Sequence, residues 1–517
     1  MRMWPGPLVA RHGRTRAFAS LARNAVVSRC PCVRSVRSWW LLPAAAVLAA
    51  GSTACAARTA ARLTPPGPVP VSPAATAVVA PLPPAPTPPP KVPPELLKPG
   101  ATFALADVVT IALENNPLTR ASWFSARAAA AFAGARRAPY YPLLDLTGSF
   151  IGSQTSTSEG RQGDPVGIGT ASLNLTYLLL DFGGRRASAE DAYWGLVAAD
   201  WVHNSAVQNT VFNVQAAYFQ YLNVRGQLAA GRANLESAQR NYDAATGRHD
   251  AGIATIADVL QAKTALSQAE LNVQLYEGQV QVFRGSLATA MGLPANVPLD
   301  VGDLPATLDV AGPQASIDAL IGEALRQRPE LSAARALVER AARKVEIARS
   351  NALPAVFVTG SLAPGLYVPG EVASYQTNWA TRLLVNVPLF SGFANEYEMI
   401  RTSAELEAAR AQVATLEQQA ILQVWTSYYA LETATRRIGT SRDLLASAEQ
   451  SERVAFARYR EGVGTILDLL VTQAALANAR ATEVQARTDW FVSLARLARD
   501  TGAAAPLDQP LTIQPRP

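Results

Sequence analysis

The sequence predicts a mostly α-helical protein with a small β part, built as two tandem structural repeats. Three observations lead there. Landmark residues recur in one order at nearly one offset. Two long stretches, residues 166–293 and 389–505, contain no proline. Ahead of each, apolar and polar residues alternate with period two, the signature of strands with one apolar face.

The N-terminus reads as an export signal over residues 1–54. It carries eight arginines and no acid, then an apolar run from Trp39 to Ala50, then the small residues Gly51 to Ala54. The apolar run is shorter than the roughly 20 residues that span a bilayer as a helix; an N-terminal anchor is the alternative. Cys55 follows the small residues and is a candidate for lipidation, while ordinary cleavage after Ala54 or Ala56 fits equally. Residues 55–100 form a Pro/Ala-rich linker, since 19 of the 36 prolines fall in residues 1–99.

Repeat 1 spans 101–305 and repeat 2 spans 306–517. Ala112 to Pro117 matches Ala324 to Pro329, and Pro142 with Gly148 matches Pro354 with Gly360. Further on, the stretch from Arg248 to Leu260 matches that from Arg458 to Leu470, and Gly292 matches Gly502. Within each copy a short helix ends at Asn116 or Arg328, because the following proline disfavours helix in its predecessor. A second helix follows, Pro117–Arg137 and Pro329–Ser350, with proline tolerated in the first turn.

Strands of about ten residues come next. Leu144, Leu146, Gly148 and Phe150 alternate with polar residues, as do Leu173, Leu175, Tyr177 and Leu179. In repeat 2, Val356, Val358 and Leu362 precede a loop expected to hold Pro364 and Pro369, and Leu383, Val385, Val387 and Leu389 form the last apolar face. A helix from about Arg185 to Arg248 then reverses at Gly252. It returns to about Met291 along a 3-4 spaced seam of Val259, Ala262, Leu266, Ala269, Val273, Tyr276, Val280, Phe283, Leu287 and Ala290. The matching seam of repeat 2 is interrupted by Glu483 and Ser493.

Scarce residues exclude much chemistry. The chain has four lysines, three histidines and three cysteines. No lysine follows glycine as in a phosphate loop, and no Cys/His cluster has metal-ligand spacing. The sequence therefore offers no catalytic, cofactor or metal site. Net charge is +6, but without the leader 38 basic residues face 40 acidic ones, so nucleic acid is not an expected partner.

A strand of ten residues tilted by about 45° crosses a bilayer, and a membrane tolerates strands only in a closed barrel. Four strands cannot close, because the smallest such barrels have about eight. The strands must be pooled between subunits, with Asp145, Ser149, Asn174, Arg382 and Asn386 facing a wet lumen. The competing reading is a soluble four-stranded sheet packed on helices.

The chain resembles the TolC family of outer-membrane channels. The resemblance rests on Ala112 to Pro117, Pro142 to Phe150, the run from Leu179 to Arg186 with its twin Pro388 to Gly392, and the turns at Gly252 and Gly462. It implies a homotrimer with a 12-stranded β-barrel in the outer membrane of a Gram-negative bacterium and a periplasmic α-helical barrel below. Its expected role is the exit duct of a tripartite efflux pump exporting small molecules, with no enzymatic activity. The implied partners are outer-membrane lipid, a periplasmic adaptor and an inner-membrane pump of the RND or ABC type. Type I protein secretion is the alternative cargo, and a non-channel coiled-coil scaffold the alternative class. The turns Gly252, Ile253, Ala254, Thr255 and Gly462, Val463, Gly464, Thr465 match the tips that meet the adaptor, though plain caps would look the same. Asp258 and Asp468 are either capping residues or rings around a closed periplasmic aperture, with Lys263, Arg248 and Arg458 as candidate partners.

Overall fold

The computed structural model describes residues 102–155, 163–302, 315–369 and 373–503. The export signal, Cys55 and the linker lie outside them. Helices α1 (Leu105–Asn115) and α2 (Pro117–Ala135) lead to strands β1 (Leu143–Ser153) and β2 (Val166–Leu180), then to α3 (Gly184–Asp250) and α4 (Ile256–Ala290). The same series repeats as α5 (Ile317–Gln327), α6 (Pro329–Asn351), β3 (Ala355–Pro369), β4 (Ser374–Asn386), α7 (Ala394–Arg460) and α8 (Ile466–Thr501).

The corner between α1 and α2 follows from one residue. Asn116 is extended, so it ends α1, and its side chain accepts the Leu118 N–H at 2.8 Å to cap α2. Its amide also donates to the Ala290 carbonyl at 3.1 Å, which ties the corner to the end of α4. In the second copy the buried Arg328 takes this position and reaches Gln423 on α7 at 2.5 Å. Helix α2 stops at Ala135, two residues early, because a short 3₁₀ turn over Ala138–Tyr140 leads into the sheet.

The four strands make one antiparallel sheet in the order β1-β2-β3-β4. They run 11 to 15 residues, longer than the ten expected. Pro364 lies inside β3 rather than in a loop. It pairs with Thr377 on β4, while the ladder to β2 is interrupted between Leu362 and Gly365. Proline lacks the N–H that side would need. Conversely β4 ends at Asn386, so Val387 and Leu389 fall beyond the sheet: Pro388 cannot extend the ladder.

The long helices α3 and α7 have 67 residues each, about 100 Å at 1.5 Å per residue. Within the first hairpin every seam residue from Val259 to Ala290 is at least partly shielded, with Ala262, Leu266, Ala269 and Val273 buried against α3. In α8 the interrupting Glu483 is half-buried and pairs with Arg487 at 3.6 Å. Two apolar cores sit where the short helices meet the long ones, around Val211, Tyr218, Leu287 and Met291, and around Val424, Leu431, Ile438 and Trp490. The rings of Phe219 and Phe491 stack at 4.6 Å and join α3 to α8. No helix among the described residues is long and apolar enough to cross a membrane.

Candidate functional site

The sheet separates two chemistries. Asp145, Thr147 and Ser149 share one face with Thr170, Ser172 and Asn174. Asn174 donates to Asp145 at 3.0 Å, and the Ser149 and Thr170 hydroxyls are 2.7 Å apart. Register carries this polar face across Thr176 and Thr359 to Arg382 on β4. The opposite face is apolar and bare: Leu146, Leu173, Leu362 and Trp379 form one row, with Leu146 73% and Trp379 77% exposed. Higher on that face the Phe150 ring lies within 3.6 Å of where a side chain on Gly167 or Gly169 would begin, so the glycines make room for it. Asp145, Ser149, Asn174 and Arg382 thus stand on one face as the sequence predicts. Asn386 follows by parity.

Both outer strands keep one unpaired edge. An open sheet with a largely uncovered apolar face is unstable alone in water. At its helix-proximal rim Phe182, Phe390 and Phe393 are also exposed. Phe182 and Phe393 hold φ of 51° and 65°, unusual for a bulky side chain. The runs that carry the family resemblance include Phe182 and Phe390, but the left-handed backbone at Phe182 and Phe393 is not marked there by residue type.

At the far end of the long helices, each hairpin turns through a glycine with positive φ: Gly252 at 74° and Gly462 at 76°. Ile253 N–H bonds the Arg248 carbonyl at 2.9 Å and Val463 N–H bonds Arg458 at 3.0 Å, closing the helix C-termini. The return helices start with capping boxes. Thr255 and Thr465 accept the Asp258 and Asp468 N–H groups at 3.3 and 3.1 Å, and each aspartate accepts its threonine's N–H in return. Capping is thus the role the two aspartates hold within one subunit. Neither forms an ion pair among the described residues. Arg248 turns to Tyr459 instead: its guanidinium donates to the Tyr459 carbonyl at 2.8 Å and lies 4.8 Å over the ring. Tyr459 is therefore a tip residue that spacing alone did not mark.

The Thr465 hydroxyl and N–H hold the Asp468 carboxyl below its ordinary value of 3.8. A depressed folded pKa means the cap's contribution is complete above about pH 4 and is lost as pH falls through the lower folded value. Asp468→Asn is expected to reproduce the low-pH state at neutral pH. Amide hydrogen exchange at Leu469 and Leu470 should then be faster than in the unaltered protein; equal exchange would refute the capping role.

The family model described as outer membrane efflux protein matches residues 108–293 and 320–503. The chain belongs to this family. It is therefore a TolC-like outer-membrane efflux channel whose sheet lies in the membrane and whose helices reach into the periplasm. Among curated relatives, Protein CyaE of Bordetella pertussis is 27% identical over 74% of this chain and 80% of that protein. The toluene efflux pump outer membrane protein TtgC of Pseudomonas putida is 25% identical over 77% and 83%. The fold is shared with the outer-membrane channel OprN, with a TM-score of 0.70, 20% identity and coverage of 77% and 90%. It is also shared with VceC of Vibrio cholerae, with a TM-score of 0.68, 24% identity and coverage of 77% and 96%.

Proposed function

We propose that three copies of this chain close into one duct that discharges small molecules from a tripartite pump. The open four-stranded sheet, apolar and bare on one face and polar on the other, carries this reading. Three copies supply twelve strands, satisfy both free edges of each sheet and turn the polar rows inward. The names of two relatives, a toluene efflux pump protein and a pyoverdine export protein, favour small-molecule cargo. Purified protein in planar lipid should form discrete pores of one conductance. Deleting the gene should sensitise cells to toxic small molecules; a subunit that neither trimerises nor conducts would end the proposal.

The tips Gly252–Thr255 and Gly462–Thr465 meet a periplasmic adaptor, which in turn contacts an inner-membrane pump of the RND or ABC type. Three copies each of Asp258 and Asp468 stand around the periplasmic aperture. Arg248 fastens the first hairpin to the second there, because its hydrogen bond and ring contact both cross between them. Arg248→Ala removes about 1–2 kcal/mol of that fastening. The expected result is an open population raised by about 5- to 30-fold. Bilayer conductance and susceptibility to large antibiotics should both rise, and unchanged values in both would exclude Arg248 as a fastener.

A further inference from the structure

An unpartnered stripe runs along α4. Leu260, Leu271, Leu275 and Val282 are 56–65% exposed. At 100° per residue they lie diametrically opposite the buried seam of Ala262, Leu266, Ala269 and Val273 that faces α3. Gly278 sits on the same stripe, and a side chain built there would meet nothing within 4 Å. A glycine in a helix interior costs about 1 kcal/mol against alanine and gains nothing here from its own subunit.

The other edge of the subunit is α7, and its face away from α8 carries small residues, with the exposed pair Gln450 and Arg453 between two of them. Gly439, Ala446 and Ala457 are exposed there, and Gly439 also faces open space. The two edges match in height. The contact between Arg248 and the Tyr459 carbonyl sets both hairpin tips at one level. Measured from the tips at 1.5 Å per residue, Gly278 stands at about 33 Å and Gly439 at about 32 Å. On the same scale Leu271 and Ala446 stand at about 23 and 21 Å, and Leu260 and Ala457 at about 6 and 5 Å. Helices α4 and α7 run in opposite directions, so a single antiparallel register aligns all three pairs. A threefold axis along the helices preserves these levels between subunits.

We infer that the α4 stripe of one subunit seats on the small-residue face of α7 of the next copy, with Gly278 and Gly439 at the point of closest approach and Leu271 over Ala446. This inference rests on the trimeric reading above and adds its register. A partner approaching from outside the wall, such as an adaptor, would instead meet α4 about 90° away from α3, on a face that lacks the stripe. Leu260 and Leu271 each fill a hole left by an alanine, as knobs do in coiled coils.

The test uses the full-length channel in outer membranes with Leu271→Cys and Ala446→Cys in one chain. Thiols bridge only where Cα atoms lie within about 7 Å. Oxidation is expected to shift the denatured band from subunit to covalent trimer. The control pair Leu271→Cys with Ala457→Cys is displaced by about 18 Å along the helices and should stay at the subunit position. A trimer on native gels that does not cross-link at 271 and 446, or that cross-links equally in the control, overturns the register while leaving the trimer intact. So does free labelling of the Leu271→Cys single variant by a bulky maleimide in the assembled channel, which would leave the stripe to another partner. Absence of any trimer on native gels sinks the underlying reading as well.

Discussion

Leu146→Arg is expected to remove the protein from the outer-membrane fraction. Leu146 stands mid-strand in β1 on the bare apolar row with Leu173, Leu362 and Trp379. An arginine on the lipid face near the midplane costs about 2–4 kcal/mol, and a trimer carries it three times. The neighbouring Thr147→Arg differs by one residue and points to the opposite face, beside Ser172. There it would be hydrated in the lumen, and normal insertion with altered ion selectivity is expected. The comparison is informative because both variants add the same charge to the same strand. Fractionation and heat-modifiable migration read the result. If both variants insert equally well, the apolar row does not face lipid and the barrel reading fails.

Gly292→Ala is expected to destabilise the fold by about 2–5 kcal/mol per subunit. Gly292 follows α4 with φ of 76°, where a side chain costs strain. A Cβ there would also lie 2.7 Å from the Asn115 carbonyl and 2.8 Å from the Asn116 Cα. Those are backbone atoms at the α1–α2 corner, and the Asn116 amide already binds Ala290 there. The contact therefore has little freedom to relax. Gly252→Ala gives the control: its φ is 74°, but nothing lies within 4 Å. Only the dihedral strain of about 1–2 kcal/mol should appear. Gly502, with φ of 82° and Gln327 backbone at 3.0 Å, should fall between the two. Denaturation midpoints of the three variants decide the order, and equal shifts at 252 and 292 would show that the corner yields.

The elements are legible in the sequence because their signals are local. The offset of 212 between Asn116–Pro117 and Arg328–Pro329 survives as the starts of α1 and α5, α2 and α6, and β1 and β3. The offset of 210 survives as the starts of α3 and α7, and of α4 and α8. The seam on α4 is readable because burial repeats with helical period. Sequence patterning misleads at prolines. It puts Pro364 in a loop, yet that residue sits in β3 where the neighbouring ladder lapses. It carries the last strand to Leu389, yet Pro388 cannot continue the ladder and β4 stops at Asn386.

The candidate site is legible only in part. Glycine at 252 and 462 and aspartate at 258 and 468 mark turns and caps, because those residue types suit the backbone there. Tyr459 is invisible to such reasoning, since its meeting with Arg248 joins positions 211 residues apart. The same holds for the pairing of β2 with β3, which lie in different repeats. Periodicity, capping and turn chemistry act within a few residues, so the chain alone specified which segments are helix or strand and which face of each is apolar. Which faces meet is a matter of packing between distant segments, and only the folded chain settled it: the order of the sheet, its two open edges and the joining of the hairpin tips.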